Sequence, residues 1–362
     1  MNPRFNSSLR RLAHAGLFSL ALLTSLGACG AASAASGVTI YGIADAGLGH
    51  ARYSFGTVSE SKNGLRSGYR DKSRFGVRGS EDLGSGLSAV FQLEQGIDLA
   101  DGSIKKGFDR LAFVGLSSDS WGSFTLGRQK DIADSFHSVD VVKSMGKAKY
   151  TLGGQGGRRD SLFKYVSPRF SGFQAGLAYA RDVNADHDHF YSAGLLYKSG
   201  PLRLSAAYGH EKEQASNYAV KNWMLAGTYD FKVVRISAAW GQDRNGKFNK
   251  PGDVGSSTLG GFSPPGLGNY NQQGFKSSNY LLGAEIPVGA AVLGLVWGHS
   301  RSNLNRIDGS FQAGAQDIYG AMYNYSLSKR TRLYVYGTFA RNLAYVRGFK
   351  GREAGLGINH KF

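Results

Sequence analysis

The alternation of apolar and polar side chains restricts the fold of this chain more than any other feature. Near the C-terminus one face of an extended chain carries Ala354, Leu356, Ile358, His360 and Phe362. The residues between them are small or polar, so the spacing has the period of two of a β-strand with one apolar side. About sixteen runs of this kind follow residue 36, and helical spacing is poorly supported there. The pattern predicts an all-β protein.

The connections between these runs alternate in length. Short turns are expected at residues 81–86, 117–122, 199–201, 230–232, 287–289 and 328–329. Long polar loops are expected at residues 50–65, 128–157, 243–275 and 299–315. Short turns at one rim and long loops at the other are typical of an outer-membrane barrel, and closure leaves no sheet edge exposed. We therefore expect residues 36–362 to form a transmembrane antiparallel β-barrel of 16 strands, with short periplasmic turns and long extracellular loops.

Residues 1–35 have the composition of a cleaved signal peptide. Arg4, Arg10 and Arg11 precede a short apolar stretch at 15–26, and small residues at 31–35 suit signal peptidase. The apolar stretch is shorter than the roughly 20 residues of a membrane-spanning helix. Residues 26–29 also match a lipobox, which would make Cys29 a lipidated N-terminus. The plain signal peptide is the preferred interpretation, and it removes the only cysteine.

Charge and motifs argue against several other functions. The chain has 43 Lys and Arg against 26 Asp and Glu, a formal charge of +17, but no basic arm or nucleic-acid-binding motif. It has no Gly-x-Ser-x-Gly nucleophile motif, so we expect neither an enzyme nor a cofactor. His187 and His189 stand beside Asp186 and Asp188, but no second ligand pair has a fixed spacing, and a solvated loop explains them better than a metal site.

Several segments together resemble the general porins of neisserial and other β-proteobacterial type. They are residues 37–45, 73–87, 91–94, 110–116, 122–129, 165–173 and 325–362. The resemblance implies a homotrimeric barrel in the outer membrane of a Gram-negative bacterium, in contact with outer-membrane lipids. It also implies passive diffusion of small hydrophilic solutes and inorganic ions, and an extracellular loop, residues 128–157, that narrows the pore. Phe362 is similar to the assembly signal of such porins.

Basic residues share the face opposite the apolar rows. Arg74 alternates with Phe75, and a charge facing lipid at the midplane costs roughly 2 to 4 kcal/mol, so we expect Arg74 to face the lumen. Arg110 is expected to point inward because it shares parity with Ala112 and Val114. Arg158 is expected on the strand after the long loop, on the face of Lys164 and opposite Phe163 and Tyr165, although Arg159 is adjacent to it. In porins similar to this chain, arginines from these strands form a ladder across the pore from acidic loop residues. The resemblance assigns the ladder to Arg74, Arg110 and Arg158 and the opposing acids to Asp131, Asp134 and Asp140.

These charges predict a general diffusion porin that prefers anions. The alternative is a solute-selective anion porin for phosphate or small organic acids, which would carry a dedicated binding site. Tyr334 and Tyr336 could belong to such a site if they face the lumen, but their strand fits the pattern in either register. The sequence alone leaves the two kinds of porin open.

Overall fold

A computed structural model of the protein describes residues 37–104, 106–136, 157–181, 187–213, 218–245, 273–307 and 309–362. The predicted signal peptide and Cys29 lie outside these residues. The strands are β1 (Gly37–Phe55), β2 (Val58–Ser67), β3 (Arg74–Gly84), β4 (Leu87–Gly96), β5 (Leu111–Ser118), β6 (Gly122–Lys130), β7 (Arg158–Val166), β8 (Phe173–Ala180), β9 (His187–Ser199), β10 (Leu202–Glu213), β11 (Ala219–Asp230), β12 (Arg235–Arg244), β13 (Lys276–Val288), β14 (Ala291–Ser302), β15 (Arg306–Ile307), β16 (Phe311–Gln312), β17 (Gln316–Ser326), β18 (Thr331–Arg341) and β19 (Lys350–Lys361). A one-turn helix α1 (Ile132–Ser135) follows β6. No helix among the described residues has the length and hydropathy to cross a membrane.

The sheet closes on itself through β1. The first half of β1 pairs with β3 and the second half with β2, so β2 and β3 together occupy one position in the barrel wall. On its other side β1 pairs with β19, from Ile43 opposite Lys361 to Ser54 opposite Lys350. The hairpin β15–β16 stands outside this sheet. The predicted antiparallel barrel of 16 strands is confirmed.

The two rims differ as predicted, but the loop at 50–65 is absent and residues 97–110 form a long connection that the sequence analysis did not predict. At the end that carries Gly37 and Phe362, β9 and β10 are joined by residues 200–201, and β13 and β14 by residues 289–290. At the other end the connections include residues 97–110, 131–157, 245–275 and 303–315. The predicted loop at 50–65 is wrong, because β1 and β2 remain paired up to Phe55 opposite Val58. A two-residue turn with Gly56 at φ +57° joins them, so the polar residues belong to strands that extend beyond the bilayer.

Exposure separates the outward face of the wall from the inward face. Leu356 and Ile358 are 56% and 45% exposed on the outward face, whereas Asn359 between β18 and β1 is fully buried. Tyr334 and Tyr336 are buried on the inward face, while Leu333 and Val335 are exposed outward. The register of β18 is thereby resolved, with both tyrosines on the luminal side.

The parity assigned to β5 from its sequence is wrong. Val114 is 57% exposed and lies opposite Phe91 on β4 and Leu126 on β6, both in outward rows. Val114 therefore faces lipid, and Phe113 takes the inward position. Both faces of this strand carry apolar residues, so hydropathy could not choose between them. Arg110 lies before β5 begins and does not follow the parity of the strand.

Phe362 completes the closure of the barrel. Its backbone N–H donates to the Gly42 carbonyl at 3.2 Å, and the Gly42 N–H donates to the Phe362 carbonyl at 3.1 Å. The phenyl ring lies on Gly42, where an added Cβ would come within 2.2 Å of the ring. The ring is half exposed on the outside of the wall, at the seam between the first and last strands. Its role as an assembly signal stays a prediction.

We expect Phe362→Ala to lower the amount of folded barrel in the outer membrane, because the ring covers the closing seam and ends a lipid-facing row. The matched control is Phe173→Ala, which removes an equally exposed outward phenyl ring from β8, away from the seam. The folded fraction of the porin in isolated outer membranes is measured from its heat-modifiable electrophoretic mobility. Equal levels of folded protein for Phe362→Ala and the wild type would exclude the assembly role.

Candidate functional site

Glu94 is the centre of a charged cluster on the luminal wall. Its Oε1 accepts from Arg110 Nε at 2.6 Å and lies 3.8 Å from Arg74 Nη1, and its Oε2 accepts from Tyr41 Oη at 3.0 Å. Arg74 on β3 and Glu94 on β4 meet because the two antiparallel strands are neighbours in the wall. Gly76, opposite Glu94, has no side chain, and a Cβ there would lie 2.5 Å from Tyr41 Oη. This glycine makes room for the tyrosine that orients the carboxylate.

Arg158 belongs to the same cluster. The charges of Arg110, Asp134, Glu94 and Arg74 all act on its guanidinium. The three predicted ladder arginines therefore lie in one region of the lumen, near one acid of the wall and one of the loop. The neighbouring Arg159 has a different environment, since its Nη1 donates to Glu211 Oε1 at 2.5 Å and its guanidinium lies over the Phe190 ring.

The segment Asp131–Phe136 lies against the inside of the wall. Ile132 and Phe136 are buried in a cluster with inward-facing side chains of β7, β8 and β9. A Cβ on Gly176 or Gly194 would come within 2.7 Å of Ile132, so glycine on these two strands allows the close approach. The Ile132 N–H also donates to Ser192 Oγ at 3.3 Å. The residues after β6 therefore turn into the barrel instead of outward into solvent.

Asp131 holds both ends of the loop at this wall. Its Oδ1 accepts from the Asp134 N–H at 2.9 Å and its Oδ2 from the Gly157 N–H at 3.0 Å. Burial raises the pKa of Asp131 to about 6, although the two backbone N–H groups and the charge of Arg159 act in the opposite direction. The docked carboxyl thus binds its proton more tightly than a free aspartate. Docking is most stable below about pH 4 and loses stability as the pH rises through about 6.

Asp134 is the loop acid that reaches the cluster. Its Oδ1 lies 3.2 Å from Lys130 Nζ, and its charge acts on Arg158 and on Lys164. Lys164 Nζ donates to the Lys130 carbonyl at 3.1 Å on the inward face. Asp140, the third predicted loop acid, lies outside the described residues.

The cluster has more cations than acids. Its cations are Arg74, Arg110, Lys130, Arg158 and Lys164, and its acids are Glu94, Asp131 and Asp134. The excess is two positive charges, or three when Asp131 is protonated. Fixed charges around a narrow passage favour ions of the opposite sign. The described residues contain no group of three or more His, Cys, Asp or Glu that could hold a metal ion.

Sequence reasoning missed Glu94. Gln92 and Glu94 alternate with the apolar Phe91 and Leu93, so the period of two already indicated an inward acid on β4. What the pattern could not show was that Glu94 would meet two of the arginines, because they come from different parts of the chain.

A second missed feature is the inward segment at residues 68–73. Asp45 is fully buried and accepts from Tyr334 Oη and Asn359 Nδ2, both at 2.8 Å, and from the Asp71 N–H at 3.1 Å. These bonds hold the break between β2 and β3 against the inner face of β1. Arg70 on this segment donates through Nε to Asn324 Oδ1 at 2.7 Å and forms an ion pair with Asp71, so these two residues add no net charge to the lumen.

Comparison with known proteins agrees with this geometry. The family model for Gram-negative porins matches residues 19–344. An outer membrane porin protein of Bordetella pertussis is 34% identical, with 96% of this chain and 99% of that protein aligned. The major outer membrane protein P.IA of Neisseria meningitidis is 26% identical over 84% of this chain and 86% of that protein.

Among solved structures, the anion-selective porin from Comamonas acidovorans superposes with a TM-score of 0.70 at 25% identity, covering 91% of this chain and all of that chain. The fold, the inward charges and these relatives lead to one assignment. The chain belongs to the Gram-negative porin family and is a passive β-barrel channel of the outer membrane.

Proposed function

We propose that this porin passes small hydrophilic anions in preference to cations. The observation that carries the proposal is the cluster of Arg74, Arg110 and Arg158 on the luminal wall, with its excess of positive charge. The similarity to a solved porin described as anion-selective supports it. Membership of the porin family makes the protein a channel and not an enzyme.

The size of the effect follows from Coulomb's law. An ion that passes about 7 Å from one uncompensated charge, at an effective dielectric near 40, has an interaction energy of roughly 1 kcal/mol. That changes the local ion concentration about fivefold per charge, in opposite directions for chloride and potassium. Glu94 and Asp134 cancel part of the field, and salt screens it over about 10 Å at 0.1 M. The preference should therefore be moderate and strongest in dilute salt.

A solute-selective anion porin is compatible with the same cluster, because closely spaced guanidinium groups can hold a phosphate or a carboxylate. The two kinds of channel differ in whether a solute occupies a binding site at the cluster. A solute that binds at the cluster blocks the chloride current in a saturable manner, whereas a general porin shows no such saturation. Adding phosphate or succinate during single-channel recording separates the two.

We also propose that the loop at residues 128–157 narrows the pore and that three chains associate. The burial of Ile132 and Phe136 against the inner wall supports the first proposal. The outward face of β1 supports the second, because it carries Val38, Ile40, Gly42, Ala44 and Ala46 and no aromatic residue. The outward faces of β11 to β14 carry Trp223, Trp240, Tyr280 and Trp297, which suit the membrane interface.

We expect the wild type to show an anion-selective reversal potential across a tenfold salt gradient, and Arg74→Gln with Arg158→Gln to lower the chloride-to-potassium permeability ratio at least about fivefold. Arg110 is left in place, since its removal would strand the buried Glu94. The control is Arg301→Gln with Arg341→Gln, which removes two charges from the outward face. Cation selectivity in the wild type, or an equal effect of the control, contradicts the proposal.

Releasing the docked segment should widen the pore. We expect the double variant Ile132→Ser, Phe136→Ser to have a higher single-channel conductance than the wild type. We also expect the conductance of the wild type to rise between pH 4 and pH 8 more than the conductance of Asp131→Asn rises. The second expectation follows because docking weakens as Asp131 ionises. Leu343→Ser with Val346→Ser, two equally buried residues of another connection, is the control. Unchanged conductance in the first variant would place the constriction elsewhere.

A charge on the outward face of β1 should separate the subunits. We expect the purified particle to have the mass of three chains and Leu48→Arg to shift it to one chain. Leu225→Arg on β11 is the control, because Leu225 is similarly exposed but lies among the aromatic-rich strands. Mass photometry in detergent measures the particle mass, and a monomeric wild type would refute the trimer.

A further inference from the structure

The inward segment, residues 68–73, is an insertion into the wall of the barrel. The last residue of β2, Ser67, lies opposite Ala46 on β1. The first residue of β3, Arg74, lies opposite Ile43 on the same strand. Six residues of the inward segment therefore stand beside only two residues of β1. A β-bulge usually adds one residue to a strand, so an insertion of this length must leave the plane of the sheet.

Asp45 on β1 fixes the position of the inward segment. Its backbone carbonyl accepts from the Gly68 N–H at 2.8 Å and from Ser73 Oγ at 2.9 Å. Its carboxylate accepts from the Arg70 N–H at 3.4 Å and from the Asp71 N–H at 3.1 Å. Because one residue bonds to both ends and to the centre of the insertion, the inward segment has a defined place in the lining of the pore.

The inward segment covers the luminal side of three strands. The Tyr69 ring packs against the ring of Tyr336 on β18, with 4.5 Å between the centroids. The Tyr69 hydroxyl lies over Gly49 on β1, where an added Cβ would clash with it. Arg70 Nε donates to Asn324 Oδ1 on β17 at 2.7 Å, and β1, β19 and β18 lie between this strand and the inward segment. The insertion therefore extends across the inner face of the closing seam.

The charges of the inward segment form a neutral pair beside the cluster around Glu94. Arg70 and Asp71 form an ion pair, and their side chains are 10% and 21% exposed. Asp71 Oδ2 also accepts from Asn359 Nδ2 at 3.4 Å. The charge of Asp71 acts on the guanidinium of Arg74, one of the three predicted ladder arginines. Asp71 thus cancels the charge of Arg70 and part of the field of Arg74.

We propose that Asp71 is a selectivity-determining residue that limits the anion preference of the pore. The inward segment holds Arg70 and Asp71 beside Arg74, so a change in either charge acts on ions in the same narrow passage. Without Asp71 the passage would gain one uncompensated positive charge. This role rests on the proposed anion preference for its meaning, but it concerns how strongly the pore discriminates and which charge of the pair acts in which direction.

The test measures the chloride-to-potassium permeability ratio from the reversal potential across a salt gradient. Asp71→Asn keeps the shape of the side chain and leaves Arg70 uncompensated, so we expect the ratio to rise about two- to fivefold. Arg70→Gln leaves Asp71 uncompensated and should lower the ratio by a similar factor. The double variant removes both charges and should return the ratio close to the wild-type value. Asp71→Glu retains the charge and should behave like the wild type.

The matched control is Asp317→Asn on β17. Asp317 resembles Asp71 because its side chain is 23% exposed and its carboxylate contacts a basic group, His299 Nδ1, at 2.9 Å. It shares parity with the lipid-facing Tyr319, however, so it lies on the outward face. We therefore expect Asp317→Asn to keep the wild-type permeability ratio.

The direction of the two single substitutions decides whether Asp71 acts through its charge. If both variants shift the ratio in the same direction, the role of Asp71 is overturned, because substitutions that merely loosen the inward segment would act alike. An unchanged ratio in Asp71→Asn, or an equal rise in Asp317→Asn, would overturn it too. A wild type that prefers cations would refute the proposed function, whereas opposite shifts of Asp71→Asn and Arg70→Gln would still support the role of Asp71.

Discussion

The hydrogen-bond pairing between β1 and β19 is the constraint on which the rest of the structure depends. In the hydrocarbon core a backbone N–H or C=O has no water to bond, so a sheet can cross the membrane only when it has no free edge. Pairing from Ile43 opposite Lys361 to Ser54 opposite Lys350 removes the last two edges. Phe362 and Gly42 extend that pairing by one more reciprocal pair of bonds. Once the wall is closed, every side chain must face either lipid or lumen.

Closure also explains why charge accumulates in the lumen. Arg74 and Glu94 are excluded from the lipid face by the cost of desolvation, and the curvature of the wall brings strands β3, β4 and β7 around a common space. The buried Glu94 is stabilised by Arg110, and each would be costly to leave alone. Glu94 thus holds Arg110 and, at 3.8 Å, Arg74 near one carboxylate, and the charges of Arg110 and Glu94 also act on Arg158. The electrostatic field of the pore is therefore set by charged side chains that neighbouring strands of the barrel hold in place.

The period of two predicted most of the wall and some of the site. It predicted that Arg74 faces inward, on the side opposite Phe75, and it already indicated that Glu94 faces inward too. It failed at β5, where both faces are apolar and only the neighbouring strands decide that Val114 faces lipid. It also failed at residues 50–65, because strands that rise above the bilayer are polar on both faces and look like a loop.

The sequence by itself determined that this chain forms a closed membrane barrel with basic residues inside, since alternation and loop lengths are local properties that need no partner. Only the tertiary structure decided which charges meet. Arg74 on β3, Arg110 just before β5 and Arg158 on β7 come together because the wall curves around one lumen. Asp131 reaches the wall because Gly176 and Gly194 leave space for Ile132. The buried Asp45 likewise depends on Tyr334 and Asn359, which lie 289 and 314 residues away in the chain and reach Asp45 only when the barrel closes. Contacts of this kind depend on distance in space, which no periodicity along the chain encodes.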